Sequence, residues 1–194
     1  MVENQQRPTQ TNEETIQKAQ LMLWDSIRKN SEHNVRVILE ANFPVDAPLS
    51  PLGMTALHFA CSHSTKEVIN TILSFHPNVN SRDYLGRTPL HMAMASNNSD
   101  AVEILLLQPN IDLNSQSIGG ETPLFKGIQF QSKNAVISLL RNEVKPDLYL
   151  ANNSGMNPYQ LAELAQRSGL LQLLNYYYFP QQDGVNDQDV DMQE

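Results

Sequence analysis

Apolar residues recur along this chain as pairs of short runs with helical spacing. Ile16, Ala19, Leu23 and Ile27 fall at three- and four-residue steps, the signature of a helix with one buried face. Thr11-Asn12-Glu13-Glu14-Thr15 places cap-forming and acidic residues just before them, so a helix is predicted from there to about Lys29. Further on, Val68-Ile69-Asn70-Thr71-Ile72-Leu73, Ala101-Val102-Glu103-Ile104-Leu105-Leu106 and Ala135-Val136-Ile137-Ser138-Leu139-Leu140 carry apolar pairs at the start and end of each run, on one helical face. Leu170-Leu171-Gln172-Leu173-Leu174 is a last run of this kind. The two ends lack such patterning. Residues 1–12 and the acidic stretch 181–194 hold Pro, Gln, Asn and charge with little to bury, and are expected to be disordered.

Before each later pair stands a shared stretch. Gly53-Met54-Thr55-Ala56-Leu57-His58-Phe59-Ala60, Gly86-Arg87-Thr88-Pro89-Leu90-His91-Met92-Ala93 and Gly120-Glu121-Thr122-Pro123-Leu124-Phe125-Lys126-Gly127 follow one another, with a weaker copy at Gly155-Met156-Asn157-Pro158-Tyr159-Gln160-Leu161-Ala162. The chemistry of the positions is consistent. Thr55, Thr88 and Thr122 can cap a helix, and Pro89 and Pro123 stand at a first helical position, where a missing N–H costs nothing. Leu57, Leu90 and Leu124 point into a core, and Ala60, Ala93 and Gly127 are small so that neighbouring helices can approach. Between the two helices of each pair stand Asn30, Ser64, Asn97 and Gln131, where a left-handed residue is expected; Asn tolerates that conformation better than Ser or Gln.

This unit resembles the ankyrin repeat, a β-turn and two helices marked by Thr-Pro-Leu-His. The resemblance implies an all-α solenoid of helix–turn–helix pairs joined by hairpin-like loops. About five repeats are expected within residues 13–180, at 16–49, 50–82, 83–116, 117–151 and 152–180, the first and last being degenerate caps. Extra residues near Pro109 and Val144 enter as loop insertions. Tyr176-Tyr177-Tyr178-Phe179 is read as a cover for the end of the stack or as a contact surface.

Composition narrows the function. Across 194 residues the net charge is −8, with no basic patch, which argues against nucleic-acid or anionic-membrane binding. No apolar run is long enough for a bilayer span and no signal-peptide pattern opens the chain, so an intracellular protein, cytoplasmic or nuclear, is expected. The one cysteine, Cys61, fits a reducing compartment and a buried position. No cofactor, metal site or catalytic constellation is predicted. His58 and His91 share one repeat position, where the ankyrin resemblance implies a hydrogen-bonding role, and His33, His63 and His76 have no ligand spacing around them. Phosphate-cradling loops and nucleophile elbows are missing.

Function is therefore expected at the surface. In the ankyrin family the concave face of hairpin tips and first helices carries partner recognition. Here its tips would be Leu52, Met54, Tyr84, Leu85, Arg87, Ile118, Glu121 and Met156, with His63 and Phe130 from the helices. Tyr84 beside Arg87 is the expected anchor. The resulting expectation is a non-enzymatic adaptor or subunit of a larger assembly, monomeric alone or held in a hetero-complex with a protein partner; the alternative is a stoichiometric inhibitor of a kinase or transcription factor. The stretch Leu106…Asp112-Leu113-Asn114 further resembles the pattern at which ankyrin repeats are hydroxylated on asparagine, with hairpin bonding by Asn114 as the plainer role.

Overall fold

The computed structural model describes residues 9–165 and 168–179. Within them are five helix pairs: α1 (Thr9–Arg28) and α2 (Glu32–Glu40), α3 (Ala56–His63) and α4 (Lys66–Leu73), α5 (Pro89–Ala95) and α6 (Ser99–Leu106), α7 (Pro123–Gln129) and α8 (Lys133–Arg141), α9 (Pro158–Leu164) and α10 (Ser168–Tyr178). The first helices pack on one another in one row and the second helices in another, each pair also packing internally. The architecture is the expected five-repeat solenoid. Helix α1 begins at Thr9, so the expected disordered segment is partly helical; residues 1–8 and the tail 181–194 lie outside the described residues.

One continuous core runs between the rows. Leu57, Leu90 and Leu124 have no exposed surface, nor do Val68, Ile69 and Ile72 of α4 or Val136, Leu139 and Leu140 of α8. The need for small residues at Ala60, Ala93 and Gly127 is also evident: a Cβ on Gly127 would stand 2.4 Å from Met94 Cε and 2.9 Å from Val136 Cγ2. Repeat four has glycine because repeat three places a methionine there. Cys61 is fully buried, and burial pushes its thiol pKa far up, which leaves it an unreactive core residue.

The turns inside the pairs differ from expectation in one repeat. Asn30, Asn97 and Gln131 adopt the left-handed conformation, at φ 52°, 54° and 57°. Ser64 does not: its φ is −102°, and α3 runs on to His63. Its buried hydroxyl donates to Ile27 O of the preceding repeat at 3.2 Å, so a cross-repeat bond replaces the left-handed turn. Gln131 has no such bond and takes the conformation that L-residues disfavour.

At the far end, Tyr178 OH donates to Pro146 O at 2.5 Å, and the Lys145 ammonium lies 5.3 Å from the Tyr177 ring centre. Phe179 meets Tyr159 edge-on with ring centres 6.2 Å apart. These rings tie the last helix to the segment before its repeat, while Tyr176 and Phe179 each remain about half exposed.

Candidate functional site: the finger layer and the concave face

Between successive helix pairs the chain projects four fingers, residues 45–54, 78–87, 112–121 and 147–156. Each tip closes by a backbone bond into a left-handed glycine: Gly53 to Ser50 O, Gly86 to Asp83 O, Gly120 to Ser117 O and Gly155 to Asn152 O, all at 2.8–2.9 Å. A short polar side chain at the start of each turn holds the loop from inside. Asp83 Oδ1 accepts from Leu85 N (3.0 Å) and Arg87 N (2.8 Å), and Asn152 Oδ1 accepts from Ser154 N and Met156 N (both 3.0 Å); Ser50 and Ser117 bond backbone N–H groups more weakly, at 3.3 Å. The sequence reading did not single out Asp83, although an Asp, Asn or Ser three residues before each glycine was the available signal.

Adjacent fingers are joined in register. Tyr84 N donates to Leu52 O (2.8 Å), Ile118 N to Leu85 O (2.9 Å) and Asn153 N to Gly119 O (3.0 Å). A second ladder runs at their base, where Asp46 accepts from Asn78 N at 3.1 Å, Asn80 Oδ1 from Asp112 N at 2.9 Å and Asn114 Oδ1 from Asp147 N at 2.7 Å. Asn114 thus does the same structural work as Asp46 and Asn80, one finger apart.

A third link ties helix starts to the next finger. His58 Nδ1 faces the N–H and hydroxyl of Thr55, at 3.2 and 2.9 Å, while Nε2 lies 2.9 Å from Arg87 O. His91 repeats this with Thr88 and Glu121 O. Since Nδ1 accepts from an N–H, the ring is neutral with its proton on Nε2, donating to the carbonyl. Burial outweighs every other influence on both rings, pushing the His58 pKa down and that of His91 to about 4. In the fifth repeat Gln160 takes over the histidine's role, accepting from Asn157 N at 3.0 Å. Phe125 stands there in the fourth repeat and supplies no such bond, so Thr122 caps α7 alone, accepting from Phe125 N at 3.2 Å. Among the described residues, no three His, Cys, Asp or Glu side chains come together as a metal site.

The expected contact residues divide into two sets. Leu52, Tyr84, Leu85 and Ile118 form an apolar ridge along the finger tips, Tyr84 and Ile118 each 67% exposed; Phe130 (58%) and His63 are exposed at the ends of first helices. The Tyr84 ring lies over Gly53, where a Cβ would stand 2.6 Å from its Cδ1. The second set corrects the reading. Met54 is only 7% exposed, its side chain being part of the packed interior. The Arg87 guanidinium is held 2.6 Å from Asp83 Oδ2 and its side chain is 24% exposed, so it is a brace for the finger rather than a free anchor. Glu121 is paired with Lys126 at 2.5 Å, both largely covered, and Met156 is half-buried. All four directly follow a tip glycine, where the chain turns back toward the finger base.

One aromatic feature of the first helices was missed. Trp24 of α1 meets Phe59 of α3 edge-on at 6.4 Å, and Arg28, paired with Asp25 at 3.0 Å, lies 5.3 Å over the Trp24 ring. The first helix lacks the Thr-Pro-Leu-His register that assigns faces in the later repeats. Among the described residues, no helix is long and apolar enough to cross a membrane.

Comparison with known proteins agrees with this geometry. A family model described as ankyrin repeats (3 copies) matches residues 23–117. Rabankyrin-5 from Mus musculus is 28% identical over 135 residues, which is 64% of this chain and 12% of that protein. Tyrosine-protein kinase Shark from Drosophila melanogaster is 31% identical over 168 residues, 86% of this chain and 18% of that protein. The Neurogenic locus Notch protein of the same fly is 28% identical over 119 residues, 60% of this chain and 4% of that protein. The chain therefore spans only a small part of these relatives' length, and what it shares with them is the repeat array. Such arrays are protein–protein interaction modules. With five stacked helix pairs, four glycine-tipped fingers and a Thr–His cap in successive units, this chain is a member of the ankyrin-repeat family.

Proposed function

We propose that the chain is a non-enzymatic adaptor or subunit that holds a protein partner on its finger ridge, within an intracellular assembly. The observation that carries this reading is the row Leu52, Tyr84, Leu85 and Ile118, four large apolar side chains that stay at least 44% exposed on consecutive fingers. An isolated exposed apolar residue needs no explanation, but a contiguous row is what interfaces use. The ridge is also pre-organised: backbone bonds between fingers and polar side chains inside each turn fix it, so little ordering entropy opposes binding. Phe130 and His63 extend the surface onto the first helices. Fixed geometry and apolar character suit lasting contact better than transient steering.

The test is affinity capture of the wild-type chain and of a Tyr84→Ala, Ile118→Ala double variant, quantified by mass spectrometry. Removing two central anchors worth about 2 kcal/mol each should weaken ridge-dependent partners by two to three orders of magnitude. Retention of every specific partner at equal strength, with the variant folded by circular dichroism, would refute the ridge as the contact surface.

A further inference from the structure

The two edges of the finger layer differ. In each interior junction a finger receives two things from the next, an N–H onto the carbonyl before its glycine and a backbone or side chain laid against the glycine itself; the first two junctions add a third, a carbonyl in front of the ring nitrogen of the finger's own helix cap. For the second finger these are Ile118 N on Leu85 O at 2.9 Å, Ile118 N against Gly86, and Glu121 O on His91 Nε2 at 2.9 Å. At the N-terminal edge the residue that should offer the N–H, equivalent to Tyr84, Ile118 and Asn153, is Pro51. Proline has no N–H, so that edge is shut.

The C-terminal edge is open. Among the described residues nothing bonds Ser154 O, the equivalent of Leu52, Leu85 and Gly119 O, and nothing lies within 4 Å of where a Cβ on Gly155 would stand. Gln160 spends its oxygen on Asn157 N, and among the described residues nothing bonds its Nε2, where His91 Nε2 meets Glu121 O. Around these groups is a depression of ≈ 480 Å³ lined by Ser154, Gly155, Met156, Gln160, Glu163 and Leu164, the last 70% exposed. A full sixth repeat does not fit: Glu163 stands where Cys61, Met94 and Ile128 are wholly buried against the next first helix, and a carboxylate cannot take that place unpaired.

We infer that this edge takes the glycine-containing β-turn of a different protein, added as a fifth finger without a helix behind it. The turn would donate the N–H of its second residue to Ser154 O, lie across Gly155 and place the carbonyl after its glycine on Gln160 Nε2, as fingers two and three do for their neighbours. An apolar side chain beside the turn would cover Met156 and Leu164. A second copy of this chain is a poor occupant, because the finger it would present carries Pro51. This contact is separate from the tip ridge, so either can fail alone.

The probe is a disulfide-closed peptide copying residues 112–122, with a cysteine added at each end, titrated into the isotope-labelled full chain and followed by NMR. Amide shifts are expected at Ser154–Gln160 and Leu164. Gln160→Ala should weaken binding about fivefold, the effect of one net hydrogen bond. The matching peptide of residues 45–55, which carries proline at the donor position, should produce no shifts. Equal binding of both peptides, no binding of either, or unchanged affinity in Gln160→Ala would overturn the proposal. So would concentration-dependent shifts at these amides without peptide, which would make the occupant a second copy. Altered Ser154 and Gln160 signals on deleting residues 180–194 would overturn it too, because the chain's own tail would then be the occupant.

Discussion

Acidification from pH 7 to pH 5 should destabilise this fold through its cap histidines, and the structure sets the size. His91 is 1% exposed, and burial lowers its pKa from 6.5 to about 4. The native state holds the ring neutral while the unfolded chain takes up a proton below its ordinary pKa. The unfolded state therefore binds more protons between those two values. His91's contribution is fully present above pH 6.5 and is lost as the pH falls toward 4. Integrated from pH 7 to pH 5, the loss is about 2 kcal/mol, and His58, shifted in the same direction, adds to it. The shifted carboxylates act below this window. Asp25, Glu32 and Glu67 are lowered by hydrogen bonds, Lys29 being the main cause at Asp25, Arg36 at Glu32 and Thr65 at Glu67, so what they contribute is present above their ordinary values of 3.8 and 4.5 and is lost as the pH falls through the lowered ones. Urea denaturation at the two pH values measures the effect. His91→Gln is the informative variant, since glutamine already makes the equivalent cap bond at Gln160. It should cost no more than about 1 kcal/mol at pH 7, since its amide can accept from Thr88 N and donate toward Glu121 O as the ring does. Its drop between pH 7 and pH 5 should be smaller than that of the wild type by about 2 kcal/mol. An equal drop in both proteins would refute the assignment of the acid sensitivity to this ring.

Two further outcomes are expected. Gly127→Ala should lower stability by about 1–2 kcal/mol in thermal denaturation, because its Cβ collides with Met94 and Val136 and overpacking outweighs the gain in helix propensity; an unchanged midpoint would mean that Met94 moves aside freely. Gln131→Gly should stabilise by about 0.5–1 kcal/mol by relieving a left-handed residue, whereas Ser64→Gly at the same repeat position should destabilise, since Ser64 is extended and bonded to Ile27 O; the opposite order of the two midpoints would contradict this account of the turns.

The repeat architecture was legible because its determinants are local and recur. A threonine, a proline and a leucine in fixed order start a helix wherever they stand, and four glycines kept the register. Contacts between repeats were not legible in the same way. Nothing in the order of residues told that Ser64 would reach back to Ile27 and so avoid the left-handed turn that Gln131 accepts. Leu52, Tyr84, Leu85 and Ile118, at the loop tips, are exposed as their position implies. Met54 and Arg87 are not free, one residue past the glycine, where direction depends on what waits inside: packing for Met54 and the Asp83 carboxylate for Arg87. A buried acid three residues ahead of a glycine turns an apparent hot-spot arginine into a strut.

The phenylalanine that replaces histidine at the start of α7 gives the array an uneven strength along its axis. Junctions two-to-three and three-to-four are each riveted by an imidazole that spans from one unit to the next, whereas the junction between the fourth and fifth units lacks that rivet and relies on finger bonds and side-chain packing. The junction between the first and second units, with Trp24 at the histidine's position, lacks it too, so opening should begin at the ends and travel inward while the middle stays intact.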